Sequence, residues 1–213
     1  SKLFCLVNGH KPTHRTWIPD TADMGKYEDV KFPLPETFYD EYKTRKAAEV
    51  QDMSIDKTML MSYDLKMLSY SNKPEPSIAR MNPAQRAKFD AHYKPIEEDL
   101  KARNLTGKDL VEWKYQRYMR DYLATAASLD RNIGRTLDYL DKHNLAQNTI
   151  VVYLSDQGFF MGEHGWFDKR FMYEESFRTP MVMRYPGVIE PGTVNNEMIL
   201  NLDIAPTMLD AAG

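Results

Sequence analysis

The stretch between residues 109 and 154 constrains the fold most. Apolar side chains fall at Tyr115, Tyr118, Met119, Tyr122, Ala126, Leu129, Ile133, Leu137 and Leu140, in steps that keep one helical face apolar. This spacing predicts a helix over 109–142, with Asp109 as N-cap and a stop near Asn144. Thr149-Ile150-Val151-Val152-Tyr153-Leu154 follows, β-branched and without alternation, the pattern of a strand covered on both faces. A helix that feeds a buried strand through a short loop is half of a βαβ unit, so the class expected is α/β. Further strands are expected at Leu3-Phe4-Cys5-Leu6-Val7 and at Met181–Arg184, which Tyr185-Pro186-Gly187 closes. A helix should begin near Asp203. Three strands are few for an open α/β sheet, and the chain opens directly in one of them. The rest of the sheet is therefore expected from residues outside this sequence.

Residues 20–110 are less regular. Prolines at 33, 35, 74, 76, 83 and 95 punctuate them, with short helices expected around Thr37–Ala48 and Pro83–Lys94. This segment reads as an insert that either shapes a pocket wall or serves only as structural cover. Composition narrows the partners. The 213 residues carry 28 basic and 31 acidic side chains, a net charge of −3, which points away from nucleic acid and from a basic membrane-surface protein. No apolar run approaches the ~18 residues of a membrane span, and the opening residues show no signal-peptide pattern. Cys5 is the one cysteine, so neither a disulfide framework nor a multi-cysteine metal site can form within the chain.

The residues with chemistry cluster after predicted strands. Ser155-Asp156-Gln157-Gly158 follows the run at 149–154, at the carboxyl edge where α/β sheets bind ligands. Asp156 and Gln157 offer the oxygen donors that a hard cation takes. Taken alone, the tetrapeptide is better read as an Asx-type turn. Gly162-Glu163-His164-Gly165-Trp166-Phe167-Asp168-Lys169-Arg170 sets charged and imidazole groups between and after glycines. Lys169 could meet an oxyanion, although a loop lysine is usually solvated, and His164 is more often a hydrogen-bonded structural residue. Past the opening run, Lys11 and His14 lie three apart and could face one anion. One cluster is metal-like and the other anion-like.

In order and spacing these segments resemble the type I sulfatases of the alkaline phosphatase superfamily. The similarity runs through Leu129-Asp130-Arg131-Asn132-Ile133-Gly134, Thr149–Gly158, Gly162–Lys169, Tyr173-Glu174, Arg178-Thr179-Pro180, Arg184-Tyr185-Pro186-Gly187 and Asp203–Thr207. Lys11-x-x-His14 is similar to a segment near the middle of that family's catalytic domain. The resemblance implies that residues 1–213 are part of an α/β/α sandwich with a mixed, mainly parallel sheet. It implies a sulfuric ester hydrolase that acts on a sulfated carbohydrate, of the kind represented by N-acetylglucosamine 6-sulfate. It assigns Asp156 and Gln157 to a divalent cation, usually calcium, Lys169 to a catalytic sulfate contact, and His14 to a sulfate contact or the general acid. Lys11 and His164 become candidates for lining the pocket. A periplasmic or extracellular location is also implied.

The departures are specific. The family's nucleophile is a formylglycine made within a Cys/Ser-x-Pro-x-Arg pattern, which does not occur here; Cys5 reads instead as a buried core residue. The paired acidic metal ligands of the family's first strand are absent too. Both are expected upstream, so the chain alone should not turn over substrate. Gln157 stands where Asn or His is usual, but keeps an oxygen donor. A phosphatase or phosphodiesterase of the same superfamily, with two metals, is the competing enzyme, and a non-catalytic sulfatase-fold binding protein the competing class. Trp17 and Trp166 are candidates for stacking on sugar faces or for the core, with Trp17 read as core.

Overall fold

The computed structural model describes residues 4–73 and 75–213, so Leu3 of the opening run and Pro74 lie outside the described residues. In chain order the elements are α1 (Lys46–Val50), α2 (Pro76–Ala79), α3 (Pro83–Arg103), α4 (Gly107–Lys142), β1 (Val151–Leu154), β2 (Phe160–Met161), β3 (Phe167–Asp168), α5 (Glu174–Phe177), β4 (Met181–Arg184) and α6 (Ile204–Ala212).

The long helix α4 forms as its periodicity requires, but Thr106 is its N-cap and Asp109 sits in the first turn, where a carboxylate favours the helix dipole. Its buried face is not only apolar. Lys114, Arg117, Asp121, Thr125 and Ser128 are buried beside Tyr115, Tyr118 and Met119. These polar groups are paired. Lys66 Nζ lies 3.1 Å from Asp121 Oδ2, and Arg117 Nη2 lies 2.7 Å from both Asp121 Oδ1 and Glu28 Oε1. Tyr93 donates its hydroxyl to Asp121, 3.1 Å away. Burial lowers the Lys66 ammonium below its usual range, and Asp121 partly offsets this.

Helix α3 runs past the expected stop at Lys94, with Pro95 inside it. Phe89, Tyr93, Glu97 and Leu100 keep one buried face on both sides of the proline, so tertiary packing outweighs the lost hydrogen bond. Asn82 and Gln85 close a capping box at its start, and Asn104 ends it in the left-handed region at φ 46°. The main core joins Trp17, Phe38, Ile55, Leu65, Met67, Phe89, Tyr118 and Phe167. Trp17 packs 4.6 Å, centroid to centroid, from Tyr118 and 6.1 Å from Phe167.

Strand β1 pairs antiparallel with β4, from Val151↔Arg184 to Leu154↔Met181, and β2 pairs antiparallel with β3. These two ladders are the sheet structure of the described residues, so the parallel part of the expected sheet does not fall among them. Strand β1 is shorter than its apolar run and only half-covered, with Tyr153 exposed. The opening run is corrected more strongly. Residues 4–7 form no strand, and Phe4, Leu6 and Val7 are exposed. Cys5 is likewise exposed, not a core residue. A buried strand needs neighbours on its hydrogen-bonding edges and its faces, and no described residue pairs with this segment. No described helix is long and apolar enough to cross a membrane.

Candidate active site

The site is assembled around the ends of β1 and β3. Past β1 the chain turns through Asp156 and Gln157, both exposed, to Gly158. The Gly158 N–H donates to the Ser176 carbonyl, 2.9 Å away. A Cβ at Gly158 would collide with the Glu175 carbonyl and lie 2.8 Å from that of Arg178, so the close approach demands glycine. Asn201 Nδ2 donates to the Asp156 carbonyl over 3.2 Å. Ser176 holds a second segment as well, since its hydroxyl donates to the Lys169 carbonyl over 3.0 Å. One serine thus ties the Asp156–Gln157 turn to Lys169.

Lys169 leaves β3 where Asp168 takes φ 77°, which bends the chain out of the ladder. Its Nζ stands 5.6 Å from the centre of the Phe159 ring and 3.8 Å from Asp168 Oδ1. The buried Asp168 carboxylate is also held by Arg170, 2.9 Å away. The Phe159 ring packs, tilted, against Tyr122 of α4 with centroids 5.4 Å apart, and the Tyr122 hydroxyl accepts a 2.9 Å bond from Thr13. The loop of Lys11 and His14 is therefore linked to Lys169 through two aromatic rings. His14 is exposed, with Nδ1 2.8 Å from the Arg15 carbonyl, and its backbone N–H donates to the Lys11 carbonyl. Lys11 and His14 share a cavity of about 200 Å³ with Ser77, Arg80 and Thr125.

Arg15 anchors the same loop. Its guanidinium makes a two-pronged pair with Asp64, which is wholly buried, and lies 5.1 Å from the centre of the Phe167 ring. Burial would lower the Arg15 pKa, but the Asp64 pairing reverses this and raises it.

His164 and Trp166 lie elsewhere in the hairpin. His164 Nδ1 is 2.7 Å from Asp40 Oδ2, and its ring packs 5.0 Å from Tyr173 and 5.2 Å from Trp166. Arg45 hydrogen-bonds hold the Asp40 carboxyl well below its ordinary pKa against the effect of burial; the Tyr42 N–H and His164 assist. The Tyr42 hydroxyl donates to the His164 carbonyl, so insert residues 40–45 clamp the loop before β3. Trp166 is fully buried in this aromatic cluster, as Trp17 is in the main core, so neither presents a free sugar-stacking face. Gly162, at φ 109°, has the Tyr115 ring where a Cβ would stand.

Ser176 thus ties the backbone just after Asp156 and Gln157 to that of Lys169, and Phe159, Tyr122 and Thr13 link Lys169 to the loop of Lys11 and His14. Ser176, Tyr122, Phe159 and Arg15 carry no motif signal of their own. Only the helical phase of Tyr122 was readable in advance.

Comparison with known proteins bears on this arrangement. Residues 162–213 match the family model described as N-sulphoglucosamine sulphohydrolase, C-terminal. The whole chain is 45% identical, over 221 aligned residues, to N-acetylglucosamine-6-O-sulfatase of Bacteroides thetaiotaomicron and covers 40% of it. A segment covering 52% of the chain is 40% identical to arylsulfatase K of Canis lupus familiaris, and covers 20% of that protein. A solved structure of a protein in complex with its substrate D-glucosamine-2-N,6-O-disulfate matches with a TM-score of 0.90 and 46% identity, over 95% of this chain and 42% of that one. The chain spans about two-fifths of the length of the Bacteroides relative and of the solved structure. In sequence and in fold, the chain is similar to part of the sulfatases, whose α/β, alkaline-phosphatase-like fold its structure matches.

Proposed function

We propose that the full-length protein removes sulfate from a sulfated carbohydrate, of the class of 6-O-sulfated glucosamines. The observation that carries this reading is the joining of an oxygen-donor turn and a lysine by Ser176, linked through Phe159 and Tyr122 to the loop of Lys11 and His14, which line a basic cavity. The named substrates of its relatives, N-acetylglucosamine 6-sulfate type and the disulfated glucosamine, support the substrate class.

In this reading Lys169 neutralises charge that grows on the sulfuryl oxygens. His14, exposed at the cavity, protonates the departing sugar alcohol. Lys11 lines the same cavity and adds positive potential for the sulfate. Held by Asp40 and packed against Tyr173, His164 shapes the pocket by positioning the Lys169 hairpin. Asp156 and Gln157 are adjacent, exposed oxygen donors and so suit a hard cation such as calcium. No cluster of three or more His, Cys, Asp or Glu among the described residues could complete its six to eight ligands. They would supply part of the shell, and the cation would stabilise negative charge on the ester oxygens. The formylglycine nucleophile has no counterpart here, since Cys5 lacks the proline and arginine of the pattern.

The test is sulfate release from N-acetylglucosamine 6-sulfate by the full-length protein, with the 6-phosphate as competitor substrate. Lys169→Ala should lower kcat/KM by roughly 10²–10³, the cost of about 2.7–4 kcal/mol typical of one lost oxyanion contact. Preferential cleavage of the phosphate, or activity indifferent to Lys169, would overturn the reading.

A further inference from the structure

The cavity shared by Lys11 and His14 has a second wall that the proposed chemistry leaves unused. The insert supplies it, through Ser77 in α2 and Arg80 just after it. The lining holds three basic side chains, with the hydroxyls of Ser77 and Thr125 among them, and no carboxylate. Such a surface attracts anions and repels cations.

Arg80 is set apart from the other arginines near the site. Arg15, Arg45, Arg117, Arg131 and Arg170 each pair with a carboxylate. Among the described residues the Arg80 guanidinium has neither an ion pair nor a side-chain hydrogen bond. Its backbone is nevertheless fixed. Ile78, two residues earlier, is buried in the main core, Met81 packs against that core, and the Arg80 N–H donates to the Ile78 carbonyl. The molecule thus anchors the base of this arginine and leaves its charged end exposed at the cavity. Lys169 does not line this cavity; it stands beyond the Tyr122 and Phe159 rings.

We infer that Arg80 is a specificity-determining contact for a second anionic substituent on the sugar, such as an N-sulfate, separate from the ester that is cleaved. The inference rests on the sulfated-glucosamine reading above and deepens it. A guanidinium fork matches two oxygens of a tetrahedral sulfo group, whereas an N-acetyl group offers one neutral acceptor. The residue therefore discriminates by charge and by geometry.

The experiment compares kcat/KM of the full-length protein for 6-O-sulfated glucosamine bearing N-sulfate or N-acetyl. Arg80→Ala should lower the N-sulfate to N-acetyl ratio by roughly ten- to a hundredfold, as expected for a lost hydrogen bond to a charged group, and Arg80→Lys should lower it less. A ratio that does not change in Arg80→Ala overturns the assignment and leaves the sulfatase reading standing. If the wild-type protein cleaves neither sugar, the substrate class itself fails and the assignment falls with it.

Discussion

Arg15→Ala removes one partner of a buried ion pair next to the His14 loop. Asp64 has no exposed side-chain surface, and Arg15 is 20% exposed. The carboxylate accepts from Arg15 Nε and Nη2 and from the Leu60 N–H, 2.7 Å away, so the substitution leaves it with one of three bonds. Breaking a buried pair by removing one partner costs about 3–5 kcal/mol. The partial exposure of Arg15 puts the expected loss near the lower end, about 3 kcal/mol. Lys66, whose Nζ donates to the Asp64 carbonyl, softens the loss but contacts neither carboxylate oxygen. Arg15→Lys keeps the charge without the fork and should lose less. Urea denaturation followed by tryptophan fluorescence is a suitable assay, because Trp17 is fully buried in the same core. A double-mutant cycle with Asp64→Asn should give a coupling above about 1.5 kcal/mol. A loss below about 1 kcal/mol, or additive effects of the two substitutions, would show that the pair does not hold this loop.

Gly158→Ala should destabilise the protein by about 1–3 kcal/mol and weaken activity, because its methyl meets two carbonyl oxygens; unchanged melting would contradict the close approach. Asp156→Ala should lower calcium affinity at least tenfold in titration calorimetry of the full-length protein, and equal affinity would remove Asp156 from the site. Burial would raise the Glu28 pKa, but His92 and Arg117 outweigh it and bring it from 4.5 to about 2. A depressed carboxyl contributes stability that is complete above about pH 4.5 and is lost as pH falls toward 2. After allowance for solvent screening this amounts to about 1–2 kcal/mol, and Glu28→Gln should flatten that part of the acid unfolding curve.

Much of the fold was legible because it is local. The three-and-four spacing from Tyr115 to Leu140 sets α4, Met181–Arg184 is β4 as read, and Asp203 does precede α6. Likewise, the resemblance to the sulfatases was legible in the order of Leu129–Gly134, Thr149–Gly158 and Gly162–Lys169 before any contact was known. Where expectation failed, long-range contacts decided. The apolar run at residues 4–7 has the composition of a buried strand, but burial requires neighbours that no described residue supplies. Pro95 ends a helix only until Tyr93 and Glu97 are packed on both sides of it. Nor does periodicity mark Arg117 and Asp121 as buried, because charge is tolerated inside only when Lys66, Glu28 and Tyr93 arrive from distant segments. The sequence by itself determined α4, β4, the start of α6 and the kinds of donors that follow β1 and β3, since these depend on residues a few positions apart. Tertiary structure alone decided that Ser176, Phe159 and Tyr122 would link the segments that carry those donors, because hydrogen bonds and ring packing act over a few ångströms of space whatever the distance along the chain.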